Sequence, residues 1–309
     1  MSVVVPARDA ASTLPSTLTA LAAQDLGRPF EVLVVDDASR DATAEVARAH
    51  PVVTALLFAR GEGPGAARNL AVAAARAPVV AFTDADCVPA PGWLRAGLAA
   101  METAELVQGS VEPAREPGPW ERSVGVHGLS GLFETANLFA DAERLRAAGG
   151  FEPWLRPRGS KELGEDVWLG WRLQRGGARV AFAPEALVHH AVLPRGPAGF
   201  VAERARARFF PPMVRRIPEL RAALLWRGRF LNRRQACFDL ALLGALAAAG
   251  ARRPGPLVLA VPYARELWRG ARGAGGRRAP GVAAVHLSAD AVTAGALAVG
   301  SLSARTFVG

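Results

Sequence analysis

The sequence is poor in cysteine and lacks the glycine motifs of two common nucleotide sites. Cys87 and Cys237 are its two cysteines, so a disulfide framework is not expected and a reducing compartment is favoured. No Gly-x-Gly-x-x-Gly follows the first predicted strand and no P-loop occurs, which excludes a dinucleotide-binding Rossmann unit and a P-loop site. The start of the chain has no basic segment followed by an apolar stretch, so we expect no secretory signal.

The composition is that of a folded protein with an uneven charge distribution. Half of the 309 residues are hydrophobic and 21% are charged, enough for one large domain or a domain with an appendage. The net charge of +9 is the difference between −5 over residues 1–190 and +14 over residues 191–309. The two parts therefore face different partners.

Strand and helix patterns alternate through the first hundred residues. Apolar runs predict strands, and apolar residues at helical spacing predict helices between them, with Ser12 and Asp41 as N-caps of the first two. The predicted strands cover 2–6, 30–36, 52–58, 79–84 and 106–111, and the predicted helices cover 12–23, 41–50, 65–76 and 92–101. This order predicts an α/β fold whose parallel strands are joined by short helical crossovers.

Two carboxylates, Asp84 and Asp86, follow the fourth predicted strand. In an extended segment such residues point to the same side, and ligands of open α/β sheets bind at the carboxyl ends of strands. Close carboxylates repel each other unless a cation lies beside them, and their hard oxygens suit Mg²⁺ or Mn²⁺ carrying substrate phosphates. Aspartates are also common in turns for local reasons, so the pair alone leaves both interpretations open.

Four segments in order resemble the family-two glycosyltransferases. They are VVVPARDA, EVLVVDDASRDAT, GPGAARNLAVAAA and VVAFTDADC. The resemblance implies a GT-A fold, which is Rossmann-like, with a mixed, mostly parallel sheet and helices on both faces. It also implies an inverting transfer of sugar from a nucleotide diphosphate sugar, with a UDP-sugar favoured, and a divalent metal, Mg²⁺ or Mn²⁺.

The resemblance also assigns residues at the strand ends. Asp86 is implied as the metal ligand, and Asp84 lies near the ribose and the metal. Without the resemblance, Asp36 and Asp37 would be interpreted as capping a turn, and Arg68 as a surface residue of a helix. The implied nucleotide-sugar contacts are Pro6, Ala7, Asp9, Asp36, Asp37, Arg68, Asp84 and Ala85.

A second carboxylate pair, Glu165 and Asp166, opens an apolar helix after a polar loop over 156–163. Acidic residues favour helix N-termini through capping and the macrodipole, which is the alternative interpretation. The family resemblance implies Asp166 as the general base, with Glu165 supporting it. A carboxylate suits that role, since the attacking hydroxyl must lose its proton.

Adjacent histidines, His189 and His190, lie on a predicted strand. Many GT-A enzymes place a late histidine near the metal or diphosphate, and by position His190 fits better. Neighbours on a strand face opposite ways, so at most one reaches the metal. Two edge-strand histidines without a ligand are the alternative.

A Gly149–Gly150 turn also resembles the family; it either ends a helix or lets the backbone approach the sugar.

The last third of the sequence is basic and apolar. Basic amphipathic helices are predicted over 200–216 and 220–234, followed by apolar segments over 236–251, 256–264 and 282–302. Of these, only 282–302 reaches the roughly 20 residues of a membrane span, and it contains His286 and Asp290. We therefore expect residues 200–309 to lie on the cytoplasmic membrane surface, peripherally or shallowly inserted. A soluble helical subdomain or dimer interface is the alternative.

The predicted organisation is a catalytic domain over 1–190 and a helical region over 191–309. The first comprises a nucleotide-binding half over 1–111 and an acceptor half over 112–190, in which a proline-rich loop over 112–119 shapes the acceptor site. The expected acceptor is a glycan or lipid-linked hydroxyl compound. A phosphohydrolase would need its Asp-x-Asp on the first strand. A nucleic-acid binder is disfavoured by the acidic first part, so no nucleic acid is expected as a partner.

Overall fold

The computed structural model describes residues 1–155, 163–272 and 279–309. Within them the chain forms two compact units by the density of its internal contacts. The first contains residues 1–116 and 123–192, and the second contains residues 117–122 and 193–309. The predicted polar loop over 156–163 lies, except for Leu163, outside the described residues.

The first unit contains one eight-stranded sheet with the order β3-β2-β1-β4-β7-β6-β8-β5. Its helices connect or flank the strands. The strands are β1 (Ser2–Ala7), β2 (Glu31–Asp36), β3 (Ala55–Phe58), β4 (Val79–Thr83), β5 (Cys87–Pro89), β6 (Leu106–Pro113), β7 (Asn137–Asp141) and β8 (Val180–His190). The helices are α1 (Leu14–Ala22), α2 (Thr43–Ala49), α3 (Pro64–Ala74), α4 (Trp93–Ala100), α5 (Ala142–Ala147) and α6 (Glu165–Arg175).

The sheet is mixed and mostly parallel, as predicted. β1, β2, β3 and β4 run parallel, and β6 runs parallel to β8, whereas β7 is antiparallel to both β4 and β6. Short β5 pairs antiparallel with the end of β8. The core lies against the central strands, where Val3, Val34 and Phe82 are fully buried, because strands covered on both faces are apolar throughout.

Two predicted helix caps are wrong. α1 begins at Leu14, after Thr13, and not after Ser12; Pro15 fits its first turn because that turn needs no backbone donor there. α2 begins at Thr43, and Asp41 lies outside it. The Asp41 carboxylate instead accepts the backbone amides of Ala11 and Thr43, both at 3.0 Å, and so ties two loops together.

Asn137, within the predicted acceptor half, links three strands and a helix. Its amide nitrogen donates to the carbonyls of Ser110 at 2.7 Å and Ala186 at 2.6 Å, while its oxygen accepts the indole N–H of Trp93 at 2.7 Å. The side chain is completely buried, so each bond satisfies a group that could not otherwise reach water. These bonds tie β7 to β6, β8 and α4.

The second unit is helical. Its elements are α7 (Pro197–Glu203), a 3-10 helix (Arg204–Phe209), α8 (Phe210–Arg216), α9 (Leu220–Ala223), α10 (Arg233–Ala251), a 3-10 helix (Gly255–Ala260), α11 (Val261–Arg272) and α12 (Ala279–Ala304). The predicted helix over 220–234 is wrong, since Trp226 and Phe230 form a bridged turn between α9 and α10. Pro211 and Pro212 lie in the first turn of α8, directly after the end of the 3-10 helix at Phe209.

Among the described residues, α12 is the helix whose length and composition would allow it to cross a membrane. Its two ionisable side chains are nevertheless engaged inside the second unit. Asp290 accepts from Arg234 Nε at 2.8 Å and from the Tyr263 hydroxyl at 2.7 Å, and the His286 ring packs against Phe200 and Trp120. The polar residues of α12 therefore serve packing between helices of this unit.

Candidate functional site

The polar strand ends meet at one edge of the sheet. β1 and β2 are parallel with Ala7 opposite Asp36, and β4 runs beside β1 in the same direction. The segments after β1, β2 and β4 consequently emerge side by side. Ala85 is fixed there by a buried side chain of α1, since the Thr17 hydroxyl donates to its carbonyl at 3.1 Å.

Asp37 holds the loop that follows β3. Its two carboxylate oxygens accept the backbone amides of Gly61 at 2.8 Å and Gly63 at 3.1 Å, and the side chain is buried. Both glycines have positive φ angles, +77° and +106°, which side chains with a Cβ rarely adopt. Asp37, which was predicted to contact the nucleotide, thus also positions the loop that contains Gly61 and Gly63, to which the sequence pattern assigned no role.

Asp9 and Asp36 both hold the turn after β2. Asp36 Oδ1 accepts the amide of Ser39 at 3.3 Å, as the turn-capping interpretation requires. Exposed Asp9 accepts the amide of Arg40 at 2.8 Å, and its own amide donates to the Ser39 hydroxyl at 3.0 Å. Pro6 and Ala7 form the end of β1 beside this turn. The loops after β1 and β2 therefore form one hydrogen-bonded rim.

Arg68 connects the two carboxylate motifs. It lies on α3 and is only 4% exposed, so its interpretation as a surface residue is wrong. One guanidinium nitrogen donates to Asp84 at 2.8 Å, and another lies 3.6 Å from Glu165. The guanidinium also lies over the ring of Phe151, 5.6 Å from its centroid. The buried guanidinium charge of Arg68 thus offsets one negative charge of the Asp84–Asp86 pair and one of the Glu165–Asp166 pair.

The Gly149–Gly150 turn is held by Asn69, which follows Arg68 on α3. The Asn69 amide oxygen accepts the Phe151 amide and its nitrogen donates to the Phe151 carbonyl, both at 2.7 Å. A Cβ on Gly150 would lie 2.3 Å from Asn69 Oδ1, and the amide of Gly150 closes the end of α5 on the Leu145 carbonyl at 3.0 Å. Glycine is therefore required by this contact and by its φ of +67°.

Asp86 and His190 come together at the outer edge of the sheet, where β5 pairs with the end of β8. Asp86 Oδ2 lies 3.7 Å from His190 Nε2. His190 Nδ1 is 2.7 Å from the carbonyl of Ala191; because a carbonyl can only accept, Nδ1 carries the proton and the lone pair of neutral His190 is on Nε2, facing Asp86. His189 precedes His190 on β8, faces the other side of the strand, and pairs with Val88.

The groups at this edge have the chemistry of a divalent-cation site. Asp86, Cys87 and His190 offer ligand atoms that all lie within 4.8 Å of one another. A carboxylate oxygen, an imidazole lone pair and a sulfur fit cations from Mn²⁺ to Zn²⁺. Sequence reasoning missed Cys87, whose proximity follows from its pairing with His190 on the neighbouring strand.

Glu165 and Asp166 begin α6, after Gly164 in a left-handed conformation. Asp166 Oδ1 accepts the amide of Val167 at 2.8 Å, as a residue in a first turn can. Burial raises the pKa of Asp166 well above its usual value, and the neighbouring Glu165 carboxylate raises it further, while Arg68 opposes both. A carboxylate whose pKa is raised in this way is better able to take up a proton near neutral pH.

Glu134 lies just before β7 in a segment, 134–139, that also resembles the family, and it belongs to the same electrostatic neighbourhood as Asp166. Burial raises the pKa of its carboxyl, and its charge in turn raises the pKa of Asp166. One carboxyl oxygen, Oε2, has no hydrogen-bond partner among the described residues. Glu134 lines a cavity of about 260 Å³ together with residues 125–130.

Residues 2–150 match the family described as glycosyl transferase family 2. The pre-mycofactocin glycosyltransferase of Mycobacterium tuberculosis is 32% identical over an alignment of 210 residues that covers 62% of this chain and 42% of that protein. The undecaprenyl-phosphate 4-deoxy-4-formamido-L-arabinose transferase of Pseudomonas aeruginosa is 32% identical over an alignment of 129 residues that covers 40% of this chain and 38% of that protein. The chain thus spans about two fifths of the length of these relatives.

Solved structures show the same fold. The mannosyltransferase PcManGT from Pyrobaculum calidifontis, in complex with GDP-Man and Mn²⁺, aligns with a TM-score of 0.65 at 22% identity, covering 95% of this chain and 86% of that one. Residues 1–349 of TarS from S. aureus, in complex with UDP-GlcNAc, align with a TM-score of 0.54 at 17% identity, covering 99% and 92% of the two chains. The mixed sheet of the first unit is accordingly a GT-A-like fold.

Proposed function

Because its residues 2–150 match glycosyl transferase family 2, we propose that this chain is an inverting glycosyltransferase that uses a nucleotide diphosphate sugar. The observation that carries the proposal is that Arg68 forms ion pairs with one carboxylate of each motif, Asp84 and Glu165. This links a first group, Asp84, Asp86 and His190, to a second group, Glu165 and Asp166. The first group would hold the donor diphosphate, and the second would take the proton of the acceptor. This arrangement supplies the two things that an inverting transfer requires.

The donor is proposed to lie across the ends of β1, β2 and β4. The rim formed by Pro6, Ala7, Asp9, Asp36 and Asp37 would contact the base and ribose. Asp84 would lie near the ribose with Arg68 behind it, and Ala85 would approach the diphosphate. A UDP-sugar is the favoured donor, and GDP-Man in the complex of the neighbour PcManGT makes GDP the next to test.

A divalent cation is proposed at Asp86 and His190, with Asp84 beside them. The bound cation would supply charge to stabilise the departing diphosphate. The residues fit this purpose because His190 directs its lone pair towards Asp86. Mg²⁺ or Mn²⁺ is the cofactor expected for a diphosphate substrate.

Asp166 is proposed as the general base. Glu165 is proposed to support it and to pair with the guanidinium of Arg68. Asp166 would accept the proton of the attacking hydroxyl as the new bond forms at the anomeric carbon. The cavity beside Glu134 is proposed to admit part of the acceptor, since it opens next to the carboxyl groups that act on Asp166. The acceptor is proposed to be a glycan or lipid-linked compound, the class to which the name of the P. aeruginosa relative points.

A thermal-shift series with UDP, GDP and dTDP, each with and without Mn²⁺, tests the donor site. A ligand that binds only the folded state at 100 times its Kd stabilises it by about 2.7 kcal/mol. We expect UDP to raise the melting temperature strongly with Mn²⁺ and weakly without it. If no nucleoside diphosphate shifts the melting temperature in either condition, the proposed donor site is wrong.

The second unit is proposed to bind the cytoplasmic membrane surface. Most exposed large apolar side chains among the described residues belong to α10, α12 and the segment between α10 and α11. An apolar groove of about 1080 Å³ runs between residues of α10 and α12. Arg233 and Arg252 bracket α10, and such a combination of apolar face and basic ends suits anionic lipid. In this proposal residues 1–190 are catalytic and residues 191–309 anchor them.

Leu246→Asp is expected to weaken binding to vesicles containing anionic lipid by about tenfold or more, because an apolar side chain buried in lipid contributes about 1.5–3 kcal/mol. Leu246 is 62% exposed on α10. Phe58→Asp is the matched control, since Phe58 is 59% exposed in the first unit and the charge change is the same. Cosedimentation with vesicles measures both. Equal losses in the two variants, or no binding by the unaltered chain, would refute the proposed surface.

A further inference from the structure

Cys87 faces the same side of the sheet as His190. The two residues are direct partners in the antiparallel pairing of β5 with β8, and directly opposed residues of such a pair project to one face. Both are buried, Cys87 completely and His190 with 6% exposure. The thiol therefore lies beside the imidazole that faces Asp86.

The distances among the three side chains suit a shared ion. Cys87 Sγ is 4.0 Å from Asp86 Oδ1, and Asp86 Oδ2 is 3.7 Å from His190 Nε2. Bonds from a borderline cation to nitrogen, oxygen and sulfur are about 2.0–2.3 Å long. Two ligands of one ion therefore lie roughly 3–4.6 Å apart. These two separations lie within that range, and the ligand atoms of all three side chains lie within 4.8 Å of one another.

We propose that Cys87 is a third protein ligand of the cation held by Asp86 and His190. This rests on the metal site of the proposed function and extends it to the ligand set. Binding breaks the S–H bond of Cys87, forms a sulfur–metal bond and releases the proton to solvent. Sulfur favours softer cations, so of the two cofactors expected here the site should favour Mn²⁺ over Mg²⁺, which prefers oxygen ligands, and it should bind Co²⁺ and Zn²⁺ more tightly than either.

Co²⁺ reports the ligand directly, because a thiolate bound to Co²⁺ absorbs in the near ultraviolet through sulfur-to-metal charge transfer. We expect this absorption when the full chain is titrated with Co²⁺, in the presence and absence of UDP. Cys87→Ser should abolish the band and lower Zn²⁺ affinity by about tenfold or more, with Mg²⁺ affinity changed less than about twofold, since only soft ions depend on sulfur. Calorimetric titration measures the affinities.

Cys237→Ser is the matched control, since Cys237 lies in the second unit on α10 and should leave the band unchanged. Co²⁺ binding to the unaltered chain without the band would overturn the role of Cys87 but leave Asp86 and His190 as ligands. No Co²⁺ binding with or without UDP would overturn the metal site itself. Should Cys87→Ser fold poorly, the spectrum of Cys237→Ser, which retains only Cys87, still decides between these outcomes.

Discussion

Asp86→Ala is expected to abolish sugar transfer, with a loss of about a thousandfold or more, because metal stabilisation of a leaving diphosphate contributes several kcal/mol to the transition state. The same variant should lose the Mn²⁺-dependent part of the thermal shift produced by a nucleoside diphosphate. His190 Nε2, now 3.7 Å from Asp86 Oδ2, would remain without the carboxylate that completes the site. Transfer assays and thermal shifts at increasing Mn²⁺ measure the two effects.

Asp25→Ala is the matched control for Asp86→Ala. Asp25 is also in the first unit, but its carboxylate is partly exposed and pairs with Arg95 at 3.1 Å. Exposed ion pairs contribute about 0–1 kcal/mol to stability, so this variant should keep activity and the Mn²⁺-dependent shift. Retention of the shift by Asp86→Ala would remove Asp86 from the metal site.

Asp166→Asn is expected to lower transfer by about a hundredfold to ten-thousandfold, the usual contribution of a general base. Affinity for the nucleotide sugar should change little, because Asp166 is assigned to the acceptor and not to the donor. Single-turnover rates and direct binding of the donor separate the two quantities. Undiminished transfer by Asp166→Asn would show that another group accepts the proton.

The pH dependence tests the same assignment. The base must be deprotonated to act, so the transfer rate should rise with pH through the pKa of Asp166, which burial and Glu165 place above the ordinary aspartate value. Glu165, Glu134 and Arg68 are the charged groups that act on it. Glu165→Gln removes a neighbouring negative charge and should move the acid limb of the profile to lower pH. A limb that stays in place would mean that a different group is titrating.

Much of the fold could be predicted because its signals are local. Apolar runs and helical spacing placed the strands of the nucleotide-binding half, and the polar residues after them followed from the position of ligands at strand ends. The errors were local as well. Capping residues such as Ser12 and Asp41 have several possible partners, and only the packed loops decide that Asp41 bonds to Ala11 and Thr43.

The contacts of the candidate site depend on residues far apart in the sequence. Arg68 reaches Asp84 and Glu165 because α3 and α6 begin near the same edge of the sheet. Asp37 binds the amides of Gly61 and Gly63 because β2 and β3 are adjacent. Long-range pairings of this kind have no period or spacing in the sequence from which they could be read.

Residue types and their spacing were enough to identify the Asp84–Asp86 and Glu165–Asp166 motifs, the strand that leads into the first pair, and the contrast between an acidic first part and a basic last part. These follow from residue type and near-neighbour spacing, which local geometry converts directly into strands, helices and turns. The position of Cys87 opposite His190, and the burial of Arg68 between two carboxylates, became visible only in the folded chain. The physical reason is that strand order and register are set by packing across the whole sheet.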